Sequence, residues 1–314
     1  MEKYDVLVQG VVSTDVIFSS IPKMPSPGEE VYCGAFEFTC GSAYTTAVAF
    51  ARLGLKVAII SPIGNDVLSQ FVLTSLESEG VSTQLMKKLN QPLRTLSVAI
   101  NYGGDRSFLS YQDDTKDFNL EEYTNSIIKN VDASILHLGA GPQSLSSIQL
   151  AKEKGMKVSV DIGWDENWLK DPKLIEMIQH SDFFTPNLKE ALYMTSNTSA
   201  EDALHILQKW CEDTLIIIKL GPKGALVGIQ GEDVVVPGFK KNPIDTTGAG
   251  DVFAAGVLTG LLKGYELEEA VRLGNFCGAC SVEGLGGATK SPYWTQVEAE
   301  FLNTNKQNET EELV

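Results

Sequence analysis

Short apolar runs separated by helix-length amphipathic stretches recur along most of this chain. Residues 57–60 (VAII) precede a helical pattern over 66–79. Residues 135–138 precede one over 144–154 and are followed by the run 158–161, and 215–219 (LIIIK) follows a helical stretch over 200–210. Further helical patterns cover 249–263, 267–282 and 293–302. Apolar runs of four or five residues suit strands buried on both faces, and the intervening helices supply the cover. The pattern predicts an α/β protein, a three-layer α/β/α sandwich around a mainly parallel sheet.

The amino-terminal part departs from this rhythm. Residues 5–12, continued by 16–18, and 30–38 (EVYCGAFEF) read as extended, and between them Pro22, Pro25 and Pro27 exclude a helix. Two more strands, 93–101 and 107–111, flank the turn Gly103-Gly104-Asp105. These pieces predict a small β-sheet lid, discontinuous in the chain, from about 13–39 and 93–117. The layered unit spans 1–302, and 303–314 forms a flexible acidic tail.

The 314 residues carry 25 Lys and Arg against 41 Asp and Glu, a net charge of −16. That excess repels a phosphate backbone and argues against a nucleic-acid partner. No apolar stretch reaches bilayer length, which argues against a membrane role, and the first ten residues lack a signal-peptide pattern. Five cysteines, an odd number, read as reduced thiols in a cytoplasmic protein.

The run 242–256, NPIDTTGAGDVFAAG, concentrates the chemistry. Turn-forming residues lead into Gly248-Ala249-Gly250, and Asp251 opens a helix of small residues. Amides at a helix start lack intrahelical partners and form an anion site together with the helix dipole. An acid placed there either stabilises the first turn or accepts a proton from a hydroxyl beside a phosphoryl group. A lone Gly-x-Gly-Asp favours the first reading; the full string DTTGAGD favours the second.

That string resembles the carboxyl-terminal signature of the ribokinase-like (PfkB) carbohydrate kinases. Further segments resemble the family in the same order: VVSTD followed by PGEEV, Cys40-Gly41-Ser42-Ala43 running to Gly54, Ile63-Gly64-Asn65-Asp66, Asn187-Leu188-Lys189-Glu190, and Lys219-Leu220-Gly221 with Gly224. The likeness extends to about Lys290. It implies a ribokinase-like fold, ATP as donor with Mg2+, and a sugar or polyol hydroxyl as acceptor. It implies Asp251 as catalytic base, with Gly248, Ala249 and Gly250 as the anion hole. Asp15, Gly41 and Ser42 would hold substrate hydroxyls. Asn187 and Glu190 would sit near the phosphates and the magnesium shell. Lys219, Gly221, Gly224 and Asn275 would lie along the nucleotide. Asp245 and Thr247 would contribute oxygens to a monovalent-cation site, filled by K+ in many relatives.

Two positions depart from the family pattern. Cys40 replaces the first of two paired glycines, and Thr45 stands where an Asn normally contacts substrate; Thr lacks an amide donor pair. The neighbourhoods 111–114 and 161–165 contain no Arg, so a carboxylate substrate would meet like charge there. A neutral sugar or polyol is the expected acceptor, with Arg106 held as a candidate acid binder. A nucleoside kinase of the same fold and a catalytically silent sugar-binding sensor are the alternatives; the intact Asp251 argues against the sensor.

Other motifs carry less. Thr289-Lys290-Ser291 lacks the last P-loop glycine, Gly139-Ala140-Gly141 lacks the third dinucleotide-loop glycine, and Cys277/Cys280 form a single CxxC pair without a second. His137, in an apolar run, reads as a core residue. Phe36, Phe38, Tyr102, Phe108 and Tyr111 read as the apolar face of the lid, available for packing across a homodimer.

Overall fold

The computed structural model describes residues 3–302 apart from 104, 116–117, 140 and 142–143. The first strand, Lys3–Gln9, contributes to both halves of the core: Val6 and Val8 belong to one cluster, and Tyr4 and Leu7 to the other. Each side is closed by helices, because Ala43–Arg52 and Ala249–Leu262 bury residues in the first cluster, and Leu145–Glu153 and Ala200–Trp210 in the second. The layered sandwich expected from the apolar runs is therefore present.

Its sheet has eight strands in the order Glu232–Pro237, Gly224–Ile229, Leu215–Lys219, Phe183–Phe184, Lys157–Asp161, Asp132–Gly139, Lys3–Gln9 and Val57–Ile60. All pairs from Leu215–Lys219 onwards are parallel; the first two junctions are antiparallel. Helix 66–79 of the sequence reading becomes Val67–Ser78, because Asp66 leaves the helix to cap it, accepting from the Leu68 and Ser69 amides. The last expected helix is a short turn, Trp294–Gln296, followed by a π-helical segment, Val297–Leu302. The tail 303–314 lies outside the described residues.

A second sheet of four strands stands apart, ordered Ala35–Ser42, Val12–Ser19, Thr95–Tyr102, Asp105–Gln112. The chain leaves the large sheet at Gly10, where a Cβ would already touch Ala43 Cβ at 3.0 Å. Residues 5–12 are thus split between two sheets. The strand expected over 30–38 lies later: the Gly34 amide donates to Ser20 O, and pairing runs from Ser19 opposite Ala35 to Val12 opposite Ser42.

Candidate active site

Because the central strands are parallel, their carboxyl ends share one edge, and their last residues Gln9, Gly139, Asp161 and Lys219 gather there. Open α/β sheets bind ligands at this edge. Two cavities open on it. The larger, about 750 Å3, is walled by Asn187, Glu190, Lys219, Asn275 and the first turn of helix Ala249–Leu262. The smaller, about 400 Å3, is walled by Gln9, Ser42, Thr46, His137 and Gly139. Asp161, Ile162 and Asp251 belong to both walls.

The turn before Asp251 is built around Asp245. One of its carboxylate oxygens accepts from the Thr247 amide (2.9 Å) and hydroxyl (2.7 Å), and the other from the Gly286 amide (3.0 Å). Gly248 then takes φ +69°, and a Cβ on it would lie 2.6 Å from Gly287 Cα and 2.8 Å from Thr45 Cγ2. Only glycine fits that bend. Ala249 and Gly250 follow on the larger cavity wall, and Thr46 Oγ1 donates to Asp251 Oδ1 at 2.9 Å.

Loss of solvent, then the negative charge of Asp161, pushes the Asp251 carboxyl up to about 6; the Thr46 hydrogen bond and the Lys219 charge act in the opposite direction. A carboxylate poised there accepts a proton near neutral pH. Glu190, 4% exposed, is raised by burial. It forms a capping box with Asn187: the Asn187 amide donates to Glu190 Oε2 (2.8 Å), and the Glu190 amide to Asn187 Oδ1 (2.9 Å). Asn275 Nδ2 donates to the Val236 and Pro237 carbonyls, fixing the edge of the wall that also contains Gly221 and Gly224.

On the other side, Asp15 lies on the small sheet against Gly41. Ser13 Oγ donates to Asp15 Oδ1 (3.0 Å) and meets Ser42 Oγ at 3.3 Å, so Asp15 reaches the smaller cavity through a hydroxyl chain. Burial, reinforced by Asp245, raises its carboxyl against the effect of Ser13. Thr45 lies on neither wall; it is buried between Gly248 and Gly287. Cys40 is likewise buried, its thiol pushed up to about 12 by desolvation. Arg106 stands on strand Asp105–Gln112, with its side chain outside the described residues.

The arrangement brings a helix start and a raised carboxyl to the junction of two cavities. The model of the pfkB family carbohydrate kinases matches residues 6–294. The chain belongs to that family.

The kinase is 28% identical over 305 residues to the ribokinase of Haemophilus influenzae, covering 94% of this chain and 97% of the relative. It is 30% identical over 282 residues to the cytidine kinase of Thermococcus kodakarensis, covering 86% and 93%. Its fold matches the structure of Arabidopsis thaliana ribokinase complexed with ribose and ATP at a TM-score of 0.80, with 21% identity and 95% and 98% coverage. Its relatives thus include kinases named for a sugar and for a nucleoside.

Thr46 and Asp161 line the cavities without being singled out by the sequence reading, whereas His137, expected as a core residue, is buried and also borders the smaller cavity. His137 is buried; its Nδ1 lies 3.1 Å from Ser159 Oγ, and desolvation pushes it down to about 4, which keeps it neutral. The signal for Asp161 was available, since it ends a parallel strand. Thr46 had none: choosing between adjacent threonines needs the helix phase. Among the described residues no group of three or more His, Cys, Asp or Glu is placed to hold a metal ion.

Proposed function

We propose that this kinase transfers the γ-phosphoryl group of ATP to a hydroxyl of a small neutral sugar or polyol. One observation carries the reading: Asp251 lies on the walls of both cavities, beside the first-turn amides of helix Ala249–Leu262. The larger cavity takes the nucleotide and the smaller one the acceptor. The donor set fits a triphosphate, because helix amides and Lys219 can meet phosphate oxygens, while Asn187 and Glu190 face the same cavity and would hold the hydrated Mg2+. Bound Mg2+ neutralises triphosphate charge.

Asp251 takes the proton from the attacking hydroxyl, and the Gly248–Gly250 turn meets the charge of the transferring group. Holding both reactants supplies about 7–11 kcal/mol. One aimed donor adds roughly 3–4 kcal/mol, and the base about 10²–10⁴ in rate. Ser42, Gly41 and Asp15 position acceptor hydroxyls. Asp245 and Thr247 brace the turn, the place where K+ would act.

A nucleoside acceptor is the second reading, favoured by the likeness to a cytidine kinase. Against it, His137 is the only aromatic ring among the described residues of the smaller cavity, so a base finds little to stack on. The experiment is ADP release with MgATP and a panel of pentoses, hexoses, polyols and nucleosides. Turnover of a neutral sugar or polyol supports the reading; turnover of nucleosides alone replaces it with the second, and binding without any turnover overturns both.

A further inference from the structure

Lys219 occupies an unusual place for a cation. A Cβ built on Gly250 would lie 2.8 Å from its Nζ, so the ammonium rests against the first turn of helix Ala249–Leu262. That end of a helix carries partial positive charge and repels a cation. Acids must therefore hold it there. Asp161 Oδ1 lies 3.6 Å from Nζ, and Asp251 and Glu190 are near enough to feel the lysine's charge. The Asp161 contact is longer than a hydrogen bond, and the two side chains keep 14% and 15% exposure beside the larger cavity. The pair is loose and faces the space where phosphates are expected. The same carboxylate has a firm local anchor, since Asp161 Oδ1 accepts from the Ile162 amide at 2.9 Å.

We propose that Lys219 is parked on Asp161 in the absence of nucleotide and passes to the donor's phosphates when nucleotide enters, making Asp161 a positioning residue whose counter-charge the nucleotide displaces. The proposal rests on the reading of the larger cavity as the nucleotide site. Phosphate oxygens offer Lys219 more negative charge than one carboxylate and sit where the helix dipole favours anions, so the exchange is downhill. Its consequence reaches the base. Asp251 is faced by Asp161 and Lys219 from two strand ends and by Thr46 from helix Ala43–Arg52. Once Lys219 is engaged, the Asp161 charge acts on Asp251 less compensated, and proton acceptance is favoured when the donor is in place.

The test is calorimetric titration of ADP in EDTA, free of divalent cations, into wild type, Asp161→Asn, Lys219→Met and the double variant. The oxygen introduced by Asp161→Asn still accepts from Ile162, and thermal melts check folding. Asp161→Asn is expected to tighten ADP about fivefold, because no counter-ion has to be displaced, and Lys219→Met to weaken it about tenfold. The gain from Asp161→Asn should shrink about threefold or more in the Lys219→Met background, since only simple repulsion is then relieved. The acid limb of the kcat–pH profile should move to lower pH in Asp161→Asn, as removal of a negative neighbour lowers the Asp251 pKa. Weaker or unchanged ADP binding by Asp161→Asn, or an equal gain in both backgrounds, overturns the proposal. Absence of nucleotide binding by wild type instead sinks the assignment of the larger cavity, and the proposal with it.

Discussion

Ionised Asp251 sits among groups that disfavour its charge: the protein walls that exclude water and the Asp161 carboxylate. Its ordinary value is 3.8, and in the fold it rises to about 6. Between those values the folded chain holds a proton that the unfolded chain has released, so stability falls as pH climbs from about 4 to about 6 and stays lower above. The group proposed as the base therefore weakens the fold at neutral pH. Asp251→Asn should gain about 2 kcal/mol at pH 7 and nothing below pH 4, while kcat drops about 10²- to 10⁴-fold with nucleotide still bound. Urea titrations at the two pH values and ADP release check both halves; near-normal turnover would remove Asp251 from its role. Gly248→Ala tests the turn. Its methyl would need a left-handed conformation and would strike the Gly287 backbone. A loss of about 1–3 kcal/mol in stability, with turnover reduced more than nucleotide affinity, is the expected outcome; a variant that melts and turns over like wild type would show that the bend tolerates a side chain.

Arg52 shows how separate elements are held around that turn. It closes helix Ala43–Arg52, forms a two-pronged contact with Glu79 (2.8 and 2.7 Å), and donates through Nη1 to the Ala288 and Ser291 carbonyls (2.6 and 3.0 Å). The segment so clamped follows directly on Gly286 and Gly287, which touch Asp245 and Gly248. Arg52→Met removes the cation beside Glu79, whose side chain is mostly out of water, and the side-chain donor to the Ala288, Thr289 and Ser291 carbonyls. It should destabilise by about 3–5 kcal/mol, and Arg52→Lys should recover little, because one ammonium cannot meet both a carboxylate fork and two carbonyls. Chemical denaturation gives both values; a cost within error of zero would mean that solvent replaces the clamp. Elements of this kind differ in how far the sequence discloses them. Helix Ala200–Trp210 matches the expected bounds, since Ser199 caps it and its apolar positions recur at helical spacing. Helix Leu188–Thr195 was missed because it has only eight residues, and its best start signal, the Asn187–Glu190 capping box, doubles as the motif read as a nucleotide site. The strand at Ala35–Ser42 was placed too early because residues 30–34 share its composition, whereas pairing with Val12–Ser19 decides its bounds. The turn at Gly248 and the helix start after it were legible because they are continuous in sequence. The junction of the two cavities was not, since it assembles strand ends up to about 200 residues apart, a distance that only the parallel sheet order closes.

At the scale of the whole molecule, the small sheet has two unlike faces. Asp15, Ile17 and Thr39 lie on one, and a Cβ on Gly286 would meet Thr39 and Ile17, which turns that face toward the bend at Gly248. Phe36, Phe38, Val98, Leu109 and Tyr111 belong to the other by register, whereas Phe108, expected among them, lies on the Asp15 face opposite Ala99. Phe38 stacks on Phe71 of helix Val67–Ser78, with ring centroids 4.6 Å apart, so one end of this face is covered. The far end is open: Phe36 is 58% and Leu109 69% exposed. An apolar face on a four-stranded sheet is stabilised by burial against another surface, and a second copy presents one of matching chemistry. We expect a homodimer joined through these faces, with the Asp15 faces left toward the two sites. Sedimentation at micromolar concentration should show a dimer for wild type and a monomer for Leu109→Glu combined with Phe36→Glu. Two charges facing their own copies across a twofold axis cannot be buried without loss of the association. Because the substituted side chains point away from the cavities, the variant should keep its ADP affinity within about twofold of wild type. A wild-type protein that sediments only as a monomer would leave this face to a different partner or to solvent, and a variant that stays dimeric would place the interface elsewhere on the surface.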